Sequence, residues 1–153
     1  MSLIIGVISD THGLLRAEAL RILNGCNAII HAGDVGSQEV LLALKKIAPI
    51  HVVRGNVDHG SWAETMPVTD IAVIGERYFY LAHNRDSIDI DPAAACVDAV
   101  IFGHTHTPEL YKRGNVIYMN PGSTGPRRFT KPVSMGRIII NDRGIYPELI
   151  NLD

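Results

Sequence analysis

The sequence predicts an α/β fold built from two β-sheets, and two observations lead to this prediction. Strand-like apolar runs alternate with helical patterns through the first third of the chain, which is typical of a parallel sheet with right-handed crossovers. After about residue 68 the pattern changes to closely spaced strands joined by hairpin-like turns, which indicates a second, more antiparallel sheet. We expect the second sheet to pack against the first in a single domain of residues 1–153.

The first third of the chain predicts strands and helices in alternation. Leu15, Ala19 and Leu23 recur at helical spacing in the first helix. Ser37 is a suitable N-cap for the second helix, and Pro49 lies beyond its end. In chain order we predict a strand at 3–8, a helix at 14–24, a strand at 27–31, a helix at 37–47 and a strand at 50–54.

The remaining sequence predicts mostly strands. Residues 56–67 carry Gly60 and Pro67 and are predicted to form a loop, while Asp91–Val97 is the one segment there with a helical pattern. Turn dipeptides such as Gly75-Glu76 separate the strands. The strands are predicted at 69–74, 77–82, 98–102, 109–112, 115–119, 133–141 and 145–151.

Composition and charge exclude several classes of protein. Hydrophobic residues make up 46% and charged residues 20% of the chain, as in a soluble globular protein. A net charge of −2 provides no strong attraction to nucleic acid, so no stable nucleic-acid complex is expected. The chain begins with a strand-like segment without signal-peptide features, and no apolar run is long enough to span a bilayer. We therefore expect a cytoplasmic protein without a membrane partner. A homo-oligomer is compatible with the sequence.

The cysteines support a reducing compartment. Cys26 and Cys96 lie far apart in apolar surroundings, without the spacing of a redox or metal motif. Buried free thiols are favoured over a disulfide.

Metal-ligand residues follow several of the predicted strands. Because the loops at one edge of a layered α/β sheet are where sites are built, these residues are expected to converge. His83 repeats the pattern after the strand at 77–82. The four principal blocks are Asp10-Thr11-His12, Gly33-Asp34, Gly55-Asn56 and Gly103-His104-Thr105-His106.

This set contains more ligands than one ion needs. Nitrogen and oxygen ligands without thiolate favour Mn²⁺, Fe, Zn²⁺, Co²⁺ or Ni²⁺ over Ca²⁺ or an iron–sulfur cluster. Two such ions about 3.5–4 Å apart would clamp a phosphoryl group for in-line displacement, with a metal-activated hydroxide as the nucleophile. The sequence therefore predicts metal-dependent hydrolysis that requires no protein nucleophile.

Each block also has a structural interpretation. Asp10 and Asp34 could be helix N-caps, and Asn56-Val57-Asp58 could be an ordinary turn. His104 and His106 taken alone could be surface histidines. Because capping does not easily produce four coincidences at strand ends, the metal interpretation is favoured.

The other histidines are assigned structural roles. His31 precedes Ala32-Gly33-Asp34 and is expected to support that loop instead of binding metal. His51 opens a strand and His59 lies in a polar loop, and both are expected to be structural.

These ordered blocks resemble the signature of the calcineurin-like metallophosphoesterases, namely Asp-x-His, Gly-Asp, Gly-Asn, a histidine and Gly-His-x-His. The resemblance covers about residues 4–123 and ends in Asn120-Pro121-Gly122-Ser123. The small size and the stretch Phe102–Pro108 are similar to the compact bacterial and archaeal phosphodiesterase branch. The resemblance implies a four-layer αββα sandwich of two mixed β-sheets flanked by helices.

The resemblance also implies how the ligands divide between two divalent ions, with Mn²⁺ favoured and Zn²⁺, Fe, Ni²⁺ and Co²⁺ as alternatives. Asp34 would bridge the ions, and Asn56 would also contact a phosphoryl oxygen of the substrate. The first ion would be held by Asp10, His12, Asp34 and His106, and the second by Asp34, Asn56, His83 and His104.

Val57 departs from the family pattern, in which a histidine often follows the asparagine and protonates the leaving group. Valine cannot transfer a proton, so this role falls to Asp58, to a water or to nothing. We expect a preference for good leaving groups among small or nucleotide-like phosphodiesters.

Asn84-Arg85-Asp86 is a second departure, because the family usually has a glycine after the histidine. The short stretch from His83 to His104 leaves little room for a lid and predicts an open site. Arg85, Arg127 and Arg128 are candidate phosphate contacts, although solvated surface arginines are the simpler interpretation.

Two other functions compete with a phosphodiesterase. A non-catalytic scaffold of the same fold would not need a complete set of ligands, and here all seven positions are Asp, His or Asn. A phosphomonoesterase would share the metals and differ in substrate.

Overall fold

The computed structural model describes residues 2–153, which form ten strands and three short α-helices. A 3₁₀ turn lies at Arg85–Ser87. The helices are α1 Ala17–Leu23, α2 Gln38–Lys45 and α3 Ser61–Glu64. The strands are β1 Leu3–Ile8, β2 Ala28–His31, β3 Ile50–Val52, β4 Thr69–Ile74, β5 Arg77–Ala82, β6 Ala99–Ile101, β7 Glu109–Arg113, β8 Val116–Asn120, β9 Ser134–Asn141 and β10 Gly144–Asn151.

The strands form two five-stranded mixed sheets, which confirms the predicted fold class. The first sheet has the order β10-β9-β1-β2-β3, and β1, β2 and β3 are parallel as predicted. The second has the order β4-β5-β6-β8-β7, with β5, β6 and β8 parallel at its centre. Each sheet therefore presents the carboxyl ends of three parallel strands at one edge.

The last hairpin belongs to the first sheet, not to the second as predicted. Strand β9 pairs antiparallel with β1, in a register that places Ile138 opposite Ile5 and Ile140 opposite Leu3. Ile138 and Ile140 point into the core between the sheets. Since β1 would otherwise have one unpaired side, the hairpin supplies both its hydrogen bonds and its apolar neighbours.

The main core lies between the sheets. Ile5 and Val7 from the first sheet meet Phe79, Ile101 and Met119 from the second, and all five are almost fully buried. Alternate residues of each strand point to this layer, as expected for packed sheets.

Helices cover the outer face of the first sheet. Leu23 of α1, Leu41 of α2 and Ala63 of α3 pack with Ile8 and Ile29 in a second apolar cluster. Ser37 caps α2 as predicted, because its hydroxyl accepts a hydrogen bond from the Val40 amide.

The outer face of the second sheet is covered by the segment after β5. Ile88 and Ile90 pack there against Val100, Phe102 and Tyr118. No α-helix forms in residues 83–98, so this outer layer consists of turns.

The predicted helix at Asp91–Val97 is therefore wrong. The segment makes one helical turn and closes it with bonds from Cys96 N–H to Ala93 O (3.2 Å) and from Val97 N–H to Pro92 O (3.0 Å). Cys96 has a φ of 58°. This is the Schellman arrangement that ends helices, and it stops the segment after a single turn.

Two smaller predictions also need correction. The predicted loop at 56–67 contains α3, whose first turn forms because the Gly60 carbonyl accepts from the Ala63 and Glu64 amides. Both cysteines are free as predicted, but only Cys26 is buried, whereas Cys96 is exposed at the end of its turn. No helix within residues 2–153 is long and apolar enough to cross a membrane.

Candidate metal centre

The predicted ligands lie where the parallel strands of both sheets end. Asp10, Asp34 and Asn56 follow β1, β2 and β3 of the first sheet. His83 follows β5 directly, and the block that contains His104 and His106 follows β6 of the second sheet. The face-to-face packing of the sheets brings these loops together at one edge.

Several ligand residues adopt a backbone conformation that side chains disfavour. Positive φ values occur at five of the seven predicted ligands. Each costs on the order of 1–3 kcal/mol and persists only where surrounding contacts enforce it. This clustering of strain is typical of a functional site. The residues and their φ values are Asp10 (55°), His12 (46°), Asp34 (56°), His104 (76°) and His106 (61°).

Asp10, His12 and His106 form one compact group. Oδ1 of Asp10 lies 3.7 Å from His12 Nε2 and 3.4 Å from His106 Nε2. Oδ2 accepts hydrogen bonds from the Ser9 hydroxyl (2.7 Å) and from the His104 amide (3.1 Å). The carboxylate is therefore held by one oxygen and offers the other to the histidines.

Asp10, Asp34 and His83 form the second compact group. Oδ2 of Asp34 lies 3.1 Å from His83 Nε2 and 3.6 Å from His12 Nε2. Oδ1 of Asp34 accepts a hydrogen bond of 3.0 Å from the Val57 amide. Oδ2 alone thus faces the histidines, whereas Oδ1 is held by the backbone.

Four buried polar atoms of these groups have no hydrogen-bond partner in the described part of the chain. They are Asp10 Oδ1, His12 Nε2, His83 Nε2 and His106 Nδ1. A buried donor or acceptor without a partner costs free energy, so such atoms are rare unless an ion or water satisfies them. The donor set fits a divalent transition metal.

The tautomer of His83 supports metal binding. Its Nδ1 lies 2.7 Å from the carbonyl oxygen of Ala32, which can only accept, so Nδ1 carries the proton. In the neutral ring, Nε2 then has a lone pair directed at the carboxylates of Asp10 and Asp34. Metal-ligating histidines commonly donate their second ring nitrogen to a backbone carbonyl in this way.

The electrostatics of the site favour ionised carboxylates. Burial raises the pKa of Asp10, but His12, the charge of His83 and the Ser9 hydrogen bond outweigh burial and lower that pKa. Burial likewise raises the pKa of Asp34, whereas His83 and the Val57 amide lower it to a net value of about 2. Burial lowers the pKa of His83, and the two carboxylates more than reverse this effect, so the net pKa is raised. The groups therefore hold negative charge that a bound cation would neutralise.

Asn56 and His104 lie beside the second group and contact each other. The distance from His104 Nδ1 to Asn56 Oδ1 is 3.2 Å, and both residues are exposed. The His104 ring stands edge-on to that of His83, with 5.2 Å between the ring centres. Both side chains thus border the open side of the site.

Asp58 holds the ligand loops together. Its buried carboxylate accepts hydrogen bonds from the backbone amides of Val35 (3.2 Å), Gly36 (2.9 Å) and Gly55 (2.9 Å). It thereby connects the loop that carries Asp34 to the loop that carries Asn56, as a turn-forming aspartate does. A part in leaving-group protonation stays a prediction.

The alternative of helix capping is wrong for both aspartates. Helix α1 begins at Ala17 after Arg16, and α2 is capped by Ser37. Asp10 and Asp34 lie several residues before these helices, with their carboxylates in the site.

His31 supports the loop, as predicted. It is fully buried, and its Nδ1 accepts a hydrogen bond from the Gly33 amide (3.0 Å). Nε2 lies 2.9 Å from the Thr11 hydroxyl, which donates to the Val35 carbonyl (2.8 Å). Burial, opposed by the charges of Asp10 and Asp58, lowers the pKa of His31 to about 4. A neutral His31 therefore joins the two aspartate loops.

Two residues that order the site were not assigned a role from the sequence. The buried Asn120 at the end of β8 donates to the Gly103 carbonyl and to Thr105 Oγ1, both at 3.1 Å, and so orders the loop of His104 and His106. Ser9 fixes Asp10. A polar residue at the end of a buried strand was the available signal in both cases.

The three arginines proposed as phosphate contacts lie in different surroundings. Arg85 donates to the Tyr111 hydroxyl (3.0 Å), and Arg127 pairs with Asp153. Burial lowers the pKa of His106; the charge of Asp10 opposes this and that of Arg128 adds to it, for a net lowering. Arg128 is thus near enough to act electrostatically on the site.

The chain is similar to known proteins over most of its length. Residues 3–143 match the family model of the calcineurin-like phosphoesterase superfamily domain. A probable metallophosphoesterase of Methanocaldococcus jannaschii is 36% identical over 136 residues, which cover 82% of this chain and 71% of the relative. Phosphodiesterase YfcE of Escherichia coli is 27% identical over 174 residues, covering 92% of this chain and 94% of that protein.

A solved structure with the same fold comes from a eukaryote. The structure of Vacuolar Protein Sorting 29 from Cryptosporidium parvum has a TM-score of 0.77 at 19% identity and covers 98% of this chain and 97% of that chain. At this identity the likeness shows the fold alone.

Proposed function

We propose, from the premise that this chain belongs to the calcineurin-like phosphoesterase superfamily, that it is a dinuclear metal-dependent phosphodiesterase for small or nucleotide-like phosphodiesters. The observation that carries this proposal is the set of four buried atoms without hydrogen-bond partners, contributed by Asp10, His12, His83 and His106. A scaffold would have no reason to retain such atoms, because each is costly to bury unsatisfied.

We assign one ion to the group of Asp10, His12 and His106, and a second ion to Asp34 and His83 of the other group, with which Asp10 is shared. Asn56 and His104, which contact each other beside His83, complete the second set. Oδ2 of Asp34 faces His12 of one group and His83 of the other, so Asp34 would serve as a ligand to both ions. When bound, divalent ions would supply an acidified water as nucleophile and positive charge for the phosphoryl oxygens.

Asn56 is proposed to position the substrate. Its Oδ1 faces His104, and no group of the described residues bonds to its Nδ2. An exposed amide N–H₂ at this point can donate to a phosphoryl oxygen, and it is neutral, so it stabilises charge without competing for the cation.

The residues beside the site offer little proton donation to the leaving group. Val57 is 41% exposed beside the site and has no proton to give. The oxygens of Asp58 accept three backbone hydrogen bonds, so this carboxyl group is engaged with the ligand loops. We therefore propose that acidic leaving groups are preferred, since they depart without protonation.

Metal analysis combined with hydrolysis assays tests the proposal. Purified protein should bind two divalent ions and hydrolyse bis-nitrophenyl phosphate faster than the mono-ester, with Mn²⁺ as the most effective ion. A faster mono-ester reaction would indicate a phosphomonoesterase. Hydrolysis of neither ester with any divalent metal would instead support a non-catalytic scaffold.

A further inference from the structure

A cavity of about 280 Å³ opens beside the second ligand group. Its lining includes the predicted ligands Asn56, His83 and His104, and its volume is near the lower end of small-molecule sites, about 300–1,000 Å³. A substituent attached to a phosphoryl group at the metals would extend into this space. The volume suits a sugar-sized group better than a long chain.

Arg54 is the one lysine or arginine among the residues that line this cavity. It directly precedes the loop of Asn56, and its backbone N–H donates to the Pro67 carbonyl (2.8 Å), which fixes the chain at this point. The side chain is half-buried, and no carboxylate of the described residues forms an ion pair with it. Arg85, on another wall of the site, is by contrast paired with Glu109.

The rest of the lining contains no acidic side chain. Val68 provides an apolar wall, and Asn84 and Ser87 provide neutral polar groups. A second cavity, which Arg85 lines, is also lined by the acidic residues Asp86 and Glu109. A guanidinium without a competing carboxylate is an anion site, and its paired N–H groups match a phosphate.

We propose that this cavity selects phosphodiesters whose non-leaving substituent carries a second phosphate, and that Arg54 binds that phosphate. This inference rests on the proposed phosphodiesterase activity and specifies the substrate class of the same site. Arg54 acts as a substrate-binding residue at a distance from the reacting phosphorus.

A matched pair of substrates tests this inference. One is the nitrophenyl ester of thymidine monophosphate, and the other is the same ester with a second phosphate on the sugar. Both have the same leaving group, so a difference between them reports on the substituent. The wild type should have the higher kcat/KM on the phosphorylated ester.

Arg54→Gln should lower kcat/KM on the phosphorylated ester about ten- to hundredfold, mainly through KM, with a much smaller change on the other ester. Arg54→Lys should keep part of the preference. Arg143→Gln, in the exposed β9–β10 turn at the opposite edge, is the control and should behave as wild type. Calorimetry with thymidine bisphosphate and monophosphate should show the same loss in Arg54→Gln without turnover.

Equal losses on both esters, or a loss of bound metal in Arg54→Gln, would overturn the assignment and show a structural role for Arg54. Wild-type hydrolysis of both esters without preference would overturn it while leaving the phosphodiesterase intact. No hydrolysis of either ester with any metal would overturn the proposed function itself, and this inference with it.

Discussion

The backbone N–H of His104 donates a hydrogen bond of 3.1 Å to Oδ2 of Asp10. The bond joins the loop after β6 of the second sheet to the loop after β1 of the first. The Ser9 hydroxyl donates a hydrogen bond to the same oxygen, so Oδ1 is the atom that faces the histidines. The relative position of the two sheets and the direction of one ligand are therefore set by the same carboxylate.

Replacement of the carboxylate between the ligand groups should empty the site. We expect Asp34→Ala to lose both ions and to lower activity by about 10²–10³-fold or more, because Oδ2 faces histidines of both groups. Elemental analysis and nitrophenyl ester hydrolysis measure the two effects. Asp91→Ala, in an exposed turn, is the matched control. Two ions per chain in Asp34→Ala would rule out the bridging role.

A methyl group at Gly103 should displace Asp10. A Cβ there would overlap the Ser9 hydroxyl and lie 2.8 Å from Asp10 Oδ2. We expect Gly103→Ala to cost about 1–3 kcal/mol of unfolding free energy and to weaken metal binding about 10- to 100-fold. Denaturant unfolding and metal titration provide the measurements. At Gly25 the nearest atom would be 3.7 Å away, so Gly25→Ala should bind metal normally. Normal affinity in Gly103→Ala would contradict the tight fit.

A proton donor at position 57 should widen the range of leaving groups. Val57 is 41% exposed, so a histidine has room there. Val57→His should raise kcat for diesters with poorly acidic leaving alcohols by up to about 10²-fold and change nitrophenyl esters little. The measurement is kcat for a series of diesters whose leaving groups differ in pKa. Val57→Gln controls for side-chain size; if it gives the same gain, proton transfer is not the cause.

Acid should destabilise the fold through His31. Burial lowers its pKa from 6.5 to about 4 in the folded state, so the unfolded chain binds the proton more readily. The stability that neutral His31 provides is present above pH 6.5 and is lost as pH falls from 6.5 towards 4, on the order of 3 kcal/mol. Urea unfolding of metal-free protein across this range should show a steeper decline for wild type than for His31→Asn. Parallel declines would mean that His31 does not titrate as described.

Added metal should stabilise the protein. Buried atoms without hydrogen-bond partners, among them Asp10 Oδ1, His12 Nε2 and His83 Nε2, would gain ligation, and the anionic carboxylates would be neutralised. At an ion concentration of 100 Kd we expect about 2.7 kcal/mol per site. Thermal unfolding with Mn²⁺ and with chelator measures this. The His83→Ala variant should respond less. An unchanged melting temperature in wild type would be evidence against the site.

The sequence determined much of the centre. Apolar runs that end in Asp10, Asp34, His83 and the His104 block predicted strands with ligands beyond them, because strands buried on both faces lack a polar alternation and their loops are polar. The β-α-β-α-β order also predicted three parallel strands. Helix positions were less well determined, since Asp91–Val97 has a helical pattern but its local backbone closes a single turn at Cys96.

Only the tertiary structure decided how the ligands are oriented. The sequence does not show that β9 and β10 join the first sheet, because pairing to β1 depends on contacts more than a hundred residues apart. It also does not show which oxygen of Asp34 is free, since that depends on the Val57 amide. Nor does it reveal that Arg54, which forms no ion pair with the described residues, lines the same cavity as His83 and His104. The second sheet brings those two histidines to this cavity. Residue type fixes which atoms can bind a metal, whereas long-range packing fixes which of them remain without a partner.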